Sequence, residues 1–202
     1  AKLLQNTSSN LPDNLEKYID KNKKSVTIPI PKAGTLEAFK QLQSFHSKVN
    51  DYTLDRDFPF IKGTSGLSIF LKNGSISTGQ VVSFLNLDLF DKNKFPGKVT
   101  FLKEIVWREF YYHVLFHFPH VEKGAFKPTY KNIPWENNKS YFKAWKEGLT
   151  GFPIVDAGMR QLRQTGWMHN RVRMIVASFL TKDLLIDWKW GEKYFMEQLL
   201  DG

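Results

Sequence analysis

Cysteine is absent from the 202 residues, which excludes disulfides and thiolate metal sites. No apolar run approaches the roughly 20 residues needed to cross a bilayer, and the opening AKLLQNTSSN lacks a signal-peptide pattern. A soluble, monomeric, cytoplasmic domain without a membrane partner is therefore expected. Histidine is sparse: only His113, His117 and His120 of the five lie close together, and Pro119 should end their helix before the third, so no metal site is expected. Acidic side chains are outnumbered, 20 against 29 Lys and Arg. The resulting formal charge of +9 favours an anionic partner, because neutralising phosphates releases their counterions. Convincing period-2 alternation is also missing, and most of the chain carries helical spacing with caps, so the expected fold is all-α.

What is present in quantity is aromatic. Phe, Trp and Tyr make up 15% of the chain, with six Trp and seventeen Phe. Rings in that number can pack a helical core, and they can equally stack on a base or a flat cofactor. Residues 1–34 read as linker, with Asn6, Ser8, Ser9, Asn10 and Pro12, a lysine cluster at Lys21, Lys23 and Lys24, then Pro29 and Pro31. Residues 35–202 are expected to form the helical domain, and the long opening loop suggests that another domain precedes it.

From Thr35 to Tyr52, Leu36, Phe39, Leu42 and Phe45 recur at helical spacing. Thr64-Ser65-Gly66-Leu67-Ser68 then puts hydroxyls and free N–H groups at the start of a short helix ended by Asn73-Gly74; this suits an anion and suits a plain cap as well. Ser77-Thr78-Gly79-Gln80 has the form of a capping box. The segment Asp91 to Lys98, with Asn93, Pro96 and Gly97 and lysines at Lys92, Lys94 and Lys98, reads as a loop. In Phe101 to His117, Glu104, Trp107, Arg108 and Tyr111 share a face, and Glu104 to Arg108 is a favourable intrahelical ion pair. Two more helices are expected at Ser140–Gly148 and Pro153–Thr165, the second with Pro in its first turn and Gly166 past its end, giving core positions at Phe142, Trp145, Ile154, Met159 and Leu162. After Gly166, Trp167, Asn170, Arg171 and Met174 fall at i, i+3, i+4 and i+7, with Arg173 one step round. A partly exposed helix with an aromatic anchor would fit that face, and so would a binding surface.

The whole run GWMHNRVRMIVASFLTKDLLIDWKWGEKYF, together with GTSGLS and WREF, resembles the FAD-binding helical domain of the DNA photolyase and cryptochrome family, nearest the class I repair enzymes for cyclobutane pyrimidine dimers. The resemblance implies a light-dependent lyase with FAD as cofactor and ultraviolet-damaged DNA as partner. It also implies a fragment, lacking an N-terminal antenna domain with its chromophore and the C-terminal part of the flavin domain. Carried over by position, Thr64, Ser65, Gly66, Leu67 and Ser68 hold the flavin pyrophosphate. Tyr52, Phe101, Arg108, Trp167, Arg173 and Asp201 meet the cofactor, the last two as an ion pair beside the isoalloxazine ring. Relatives often carry Trp at Phe101, which keeps the ring and loses the N–H donor. Trp107 would stack on the flipped dimer, and Glu104 would hydrogen-bond its carbonyl, offering a proton from a carboxyl of raised pKa. Asn170 contacts DNA beside the dimer and Met174 lines the lesion pocket, while Arg56, Arg108, Tyr111 and Arg171 meet the DNA. Trp135 and Trp188 correspond to the outer and middle members of an electron-conducting chain. The alternative is a cryptochrome photoreceptor using the same pocket.

Overall fold

The computed structural model describes residues 27–90 and 96–202. The linker features expected in residues 1–26 and the loop residues Asp91, Lys92, Asn93 and Lys94 lie outside these. By its contacts the chain divides into residues 1–30 and 31–202, and the second unit is described below. Among the described residues every regular element is helical. We label the helices α1 (Thr35–His46), α2 (Tyr52–Asp55), α3 (Ser68–Lys72), α4 (Thr78–Leu85), α5 (Pro96–His117), α6 (Lys139–Glu147), α7 (Pro153–Thr165), α8 (Asn170–Ser178) and α9 (Trp188–Gln198).

Local chemistry fixes most of the ends. Ser77 opens α4 with the expected reciprocal box: its hydroxyl accepts from Gln80 N at 3.2 Å, and Gln80 Oε1 accepts from Ser77 N at 2.9 Å. Asn138 caps α6 by accepting from Ser140 N and Tyr141 N, and Gly148 closes it at φ 67°. Pro153 starts α7 and Gly166, at φ 64°, ends it, so this helix runs over the expected residues. Helix α5 stops at His117 because a residue before proline, here Phe118, is pushed out of the helical region.

Two apolar clusters form the core. The first joins Leu42 and Phe45 of α1 to Tyr52, Leu67, Val81, Leu85 and Phe101. Its centre is a ring trio, with Phe101 4.7 Å from Phe45 and 5.2 Å from Tyr52 between centroids. The second packs α7 against α8 around Trp145, Met159, Leu162, Val172 and Val176. Here the helices approach closely at Gly158, where a Cβ would stand 2.4 Å from Val172 Cγ1. The fully buried Trp145 indole donates to Val176 O at 3.0 Å, so its one polar atom is satisfied.

Four expectations change. Helix α1 ends at His46, well short of Tyr52, and Leu36 on its first turn is 70% exposed while Ala38 takes the buried place. Ile154 is 48% exposed, because it borders an open cavity beside α8, whereas Trp145, Met159 and Leu162 are buried. Helix α5 begins at Pro96, so Pro96, Gly97 and Lys98 belong to a helix and not to a loop. Trp167 and Met168 precede α8, whose N-cap is His169: its Nδ1 accepts from Arg171 N at 3.2 Å. An imidazole in place of Ser, Thr, Asp or Asn is a cap that standard preferences miss.

Asp156 shows how a buried carboxylate anchors the α6–α7 connection. It accepts from Thr150 N (2.8 Å), Thr150 Oγ1 (2.6 Å) and Gly151 N (3.0 Å). Burial pushes its carboxyl up, but these three donors together with Arg160 outweigh that and hold it below the usual carboxylate range. The sign follows: the stabilisation is complete above the unfolded carboxyl near pH 4 and is lost as pH falls through the depressed folded value. Asp156→Asn should cost about 2 kcal/mol at pH 7 in urea unfolding. The gap from wild type should close toward pH 3, and a gap independent of pH would contradict the assignment.

Candidate cofactor cavity

A cavity of about 580 Å³ opens beside the first core cluster. One wall is a single stripe of α5. Phe101, Glu104, Ile105, Arg108, Tyr111, Tyr112 and Leu115 all line it, and at about 100° per residue they span a stripe centred on Arg108. Trp107 lies about 100° from that centre and falls outside. It is half exposed, stacked on Tyr111 at 6.0 Å and edge-on to Phe110 at 5.4 Å. The expected face of Glu104, Trp107, Arg108 and Tyr111 is therefore split.

The floor is Tyr52, Phe101 and Leu67, all buried. Burial, with Arg56 opposing it, pushes the Tyr52 phenol up to about 12, so it keeps its proton at neutral pH. The Thr64–Ser68 loop forms the rim, and all five of its residues line the cavity. Gly66 is at φ 63° there, and a Cβ would meet Gln41 Nε2 at 2.8 Å. That nitrogen donates to Ser65 O at 2.7 Å, so Gln41 of α1 pins the loop from behind. No local pattern marks Gln41, because its partner lies 24 residues away.

The opposite wall comes from Trp167, Met168, Asn170, Arg173 and Asp201. Arg173 Nε donates to Met168 O at 2.8 Å, and its Nη2 reaches Asp201 Oδ1 and Oδ2 at 3.0 and 2.9 Å. Leu200 N donates to Gly166 O at 2.9 Å, which ties the chain after α9 to the approach to α8. The expected Arg173–Asp201 pair is thus formed, with the Asp201 side chain only 4% exposed.

Charge pairing departs from the sequence reading in one respect. Glu104 does not pair with Arg108; its Oε1 accepts from Arg56 Nη1 at 2.7 Å across the α2–α5 contact. Arg108 turns to Glu109 (2.7 Å), Leu71 O and Tyr112 OH (both 3.2 Å). Burial pulls Arg56 down, yet the bond to Glu104 and the nearby Tyr52 and Asp57 leave it above its ordinary value.

Arg171 and Met174 lie on another face. With Ile175 and Ser178 they make an i, i+3, i+4, i+7 stripe of α8 that borders a second cavity of about 490 Å³, completed by Phe152, Ile154, Val155, Phe179 and Asp183. Asn170 and Arg173 face the first cavity instead, which is why the single mixed face expected for this segment does not exist. Arg56 also lies outside the first cavity's lining. Trp135 and Trp188 flank two cross-links between their segments: Glu136 N donates to Leu185 O at 2.9 Å, and Asp187 N to Asn137 Oδ1 at 2.8 Å. His113 and His117 stack at 6.2 Å, His120 pairs with Phe126 O, and no group of three potential metal ligands occurs among the described residues.

Residues missed by sequence reasoning are Met168, Ile105, Leu71, Lys72, Tyr112 and Leu115 in the lining, with His169 and Gln41 behind it. Ile105, Tyr112 and Leu115 were within reach of the α5 period once its register was centred on Arg108.

The chain is similar to proteins of one kind. The deoxyribodipyrimidine photo-lyase of Neurospora crassa is 47% identical over 176 residues, covering 84% of this chain and 28% of its own. That of Escherichia coli is 46% identical over 167 residues, covering 82% and 35%. The crystal structure of a bacterial class III photolyase from Agrobacterium tumefaciens superposes with a TM-score of 0.79 at 44% identity, over 94% of this chain and 38% of that one. The chain thus spans about a third of the length of these relatives. Residues 101–202 match the family described as the FAD binding domain of DNA photolyase, and the chain belongs to that family.

Proposed function

We propose that this chain is the FAD- and DNA-binding part of a photolyase that repairs cyclobutane pyrimidine dimers in light, residues 35–202 forming that part and residues 1–34 the connection to a preceding domain. The observation that carries the reading is the cavity itself, which gathers the hydroxyl loop, the α5 stripe and the Arg173–Asp201 pair from segments far apart in sequence. Its donor set fits a flavin dinucleotide. Aromatic and aliphatic surface at Tyr52, Phe101 and Trp167 suits a flat ring, the hydroxyls and N–H groups of Thr64, Ser65, Gly66 and Ser68 suit a diphosphate, and the volume lies in the range of cofactor sites. When bound and reduced, FAD would supply the light-driven electron transfer that opening a cyclobutane ring needs.

The chain's own residues bind and orient. Leu67 closes the floor, and Arg108 would offer its charge to the cofactor from the α5 wall. Arg173 is held by Met168 O and Asp201, so its guanidinium would meet a ring in the cavity without searching rotamers. Glu104 and Asn170 offer hydrogen bonds to the flipped dimer from opposite walls. Arg56 donates to Glu104 Oε1, so any proton Glu104 gives the dimer carbonyl leaves from Oε2 or after Arg56 has moved. Trp107, Tyr111, Met174, Arg56 and Arg171 belong to the side that meets DNA, and Trp135 and Trp188 to an electron path through their cross-linked segments.

A fluorescence-polarisation titration of FAD with this chain tests the reading. Saturable binding competed by ADP is expected, since the loop would hold the diphosphate, and Ser68→Ala should weaken it about tenfold, as for one hydrogen bond to a charged group. The complete protein should restore thymine dimers in an irradiated oligonucleotide under blue light. Flavin binding without repair would favour the photoreceptor alternative, and no FAD binding by the folded chain would remove the cofactor assignments.

A further inference from the structure

Asp57 lines neither cavity, yet it joins two arginines. Arg171 Nη2 donates to Asp57 Oδ1, and the same oxygen lies 4.0 Å from Arg56 Nε. Arg56 in turn donates from Nη1 to Glu104 Oε1 at 2.7 Å and lies over the Tyr52 ring, 5.3 Å from its centroid. The result is an alternating row, Arg171–Asp57–Arg56–Glu104, running from side chains 42% and 51% exposed to the cavity wall.

We propose that Asp57 is a positioning residue for nucleic-acid phosphates: it holds the guanidiniums of Arg56 and Arg171 side by side and leaves on each, besides the N–H groups that meet Glu104 and Met174, donors for the phosphates of a single strand. The proposal rests on the reading of this surface as the one that meets DNA. Each guanidinium has five N–H donors in a rigid fork. Asp57 takes one from Arg171 and faces Nε of Arg56, so each keeps donors for a phosphate. Without the carboxylate the two like charges repel, Arg171 loses its anchor across 114 residues of sequence, and Arg56 keeps only Glu104 as an ion-pair partner. An ion pair this exposed contributes little to stability, so its removal leaves the fold intact.

The sign of the effect separates this from plain electrostatics. Deleting an acid beside two arginines raises the local positive charge and, by charge alone, tightens phosphate binding. Positioning predicts the reverse. We would measure fluorescein-labelled, ultraviolet-irradiated oligothymidylate binding to the full chain at fixed salt for wild type, Asp57→Asn and Asp57→Glu. Asp57→Asn should weaken binding about fivefold, the loss of one charge-assisted bond at an exposed site, and Asp57→Glu should recover part of it. Equal or tighter binding by Asp57→Asn overturns the proposal. If wild type fails to bind, the functional reading has failed and not the row of charges, which is then read directly in the arginine Nε–Hε spectrum of the free chain. There Asp57→Asn should shift the Arg56 and Arg171 signals, and an unchanged Arg56 signal overturns the coupling.

Discussion

Arg173→Ala should destabilise the chain by about 3 kcal/mol and abolish any FAD binding. The Asp201 side chain is 4% exposed and receives both of its close N–H bonds from Arg173 Nη2. Truncation leaves a carboxylate out of water with neither bond, and it strips Met168 O of its Nε donor as well. Breaking a buried pair from one side costs about 3–5 kcal/mol, and the quarter exposure of Arg173 puts this pair at the low end of that range. Removing the orphaned charge should recover part of the loss, so Arg173→Ala with Asp201→Asn should unfold at a higher urea concentration than Arg173→Ala alone. The cycle reads the coupling, and additive losses would mean that the pair is incidental to the fold. FAD binding should stay absent in both, since recovery of stability does not return the guanidinium.

The helices were largely legible because their signals are local. Pro153 and Gly166 bracket α7, the Ser77–Gln80 box opens α4, and Trp145 and Met159 are buried at helical spacing. The cavity's rim and its Arg173–Asp201 pair were legible through resemblance, since nothing in their spacing joins residue 173 to residue 201. What went unread is long-range. Glu104 has an attractive partner four residues on, but Arg56, 48 residues back, arrives at 2.7 Å once α2 packs on α5, and the local pair loses. A backbone break misled the rest: Trp167 has helical phase with Met174 on paper, but His169 caps α8 after both Trp167 and Met168, so the phase has no meaning across it. Met174 then follows the phase of α8 into the second cavity with Arg171.

The same distinction bears on Gly97, and Gly97→Ala should be the most damaging single methyl group that can be added near the cavity. The sequence places Gly97 in a loop; in the structure it is buried in the first turn of α5, against the backbone of the turn after α1. A Cβ there would lie 2.1 Å from Val49 O and 2.2 Å from Asn50 O, where carbon and oxygen ordinarily keep about 3.4 Å. Both obstacles are main-chain atoms, so no rotamer change makes room. Alanine is the better helix former by about 1 kcal/mol, but the forced backbone shift costs about 3 kcal/mol or more, and the clash wins. The shift also travels to the site, because one interface carries the Thr53–Thr100 hydroxyl bond at 2.8 Å, the Tyr52–Phe101 ring contact and the Arg56–Glu104 pair. Urea unfolding should therefore show a lower midpoint, and FAD affinity should fall although residue 97 is outside the cavity lining. A midpoint equal to or above wild type would mean that α5 does not sit this close to the α1 turn. The α5 wall of the cavity would then have to be drawn again from Phe101 onward.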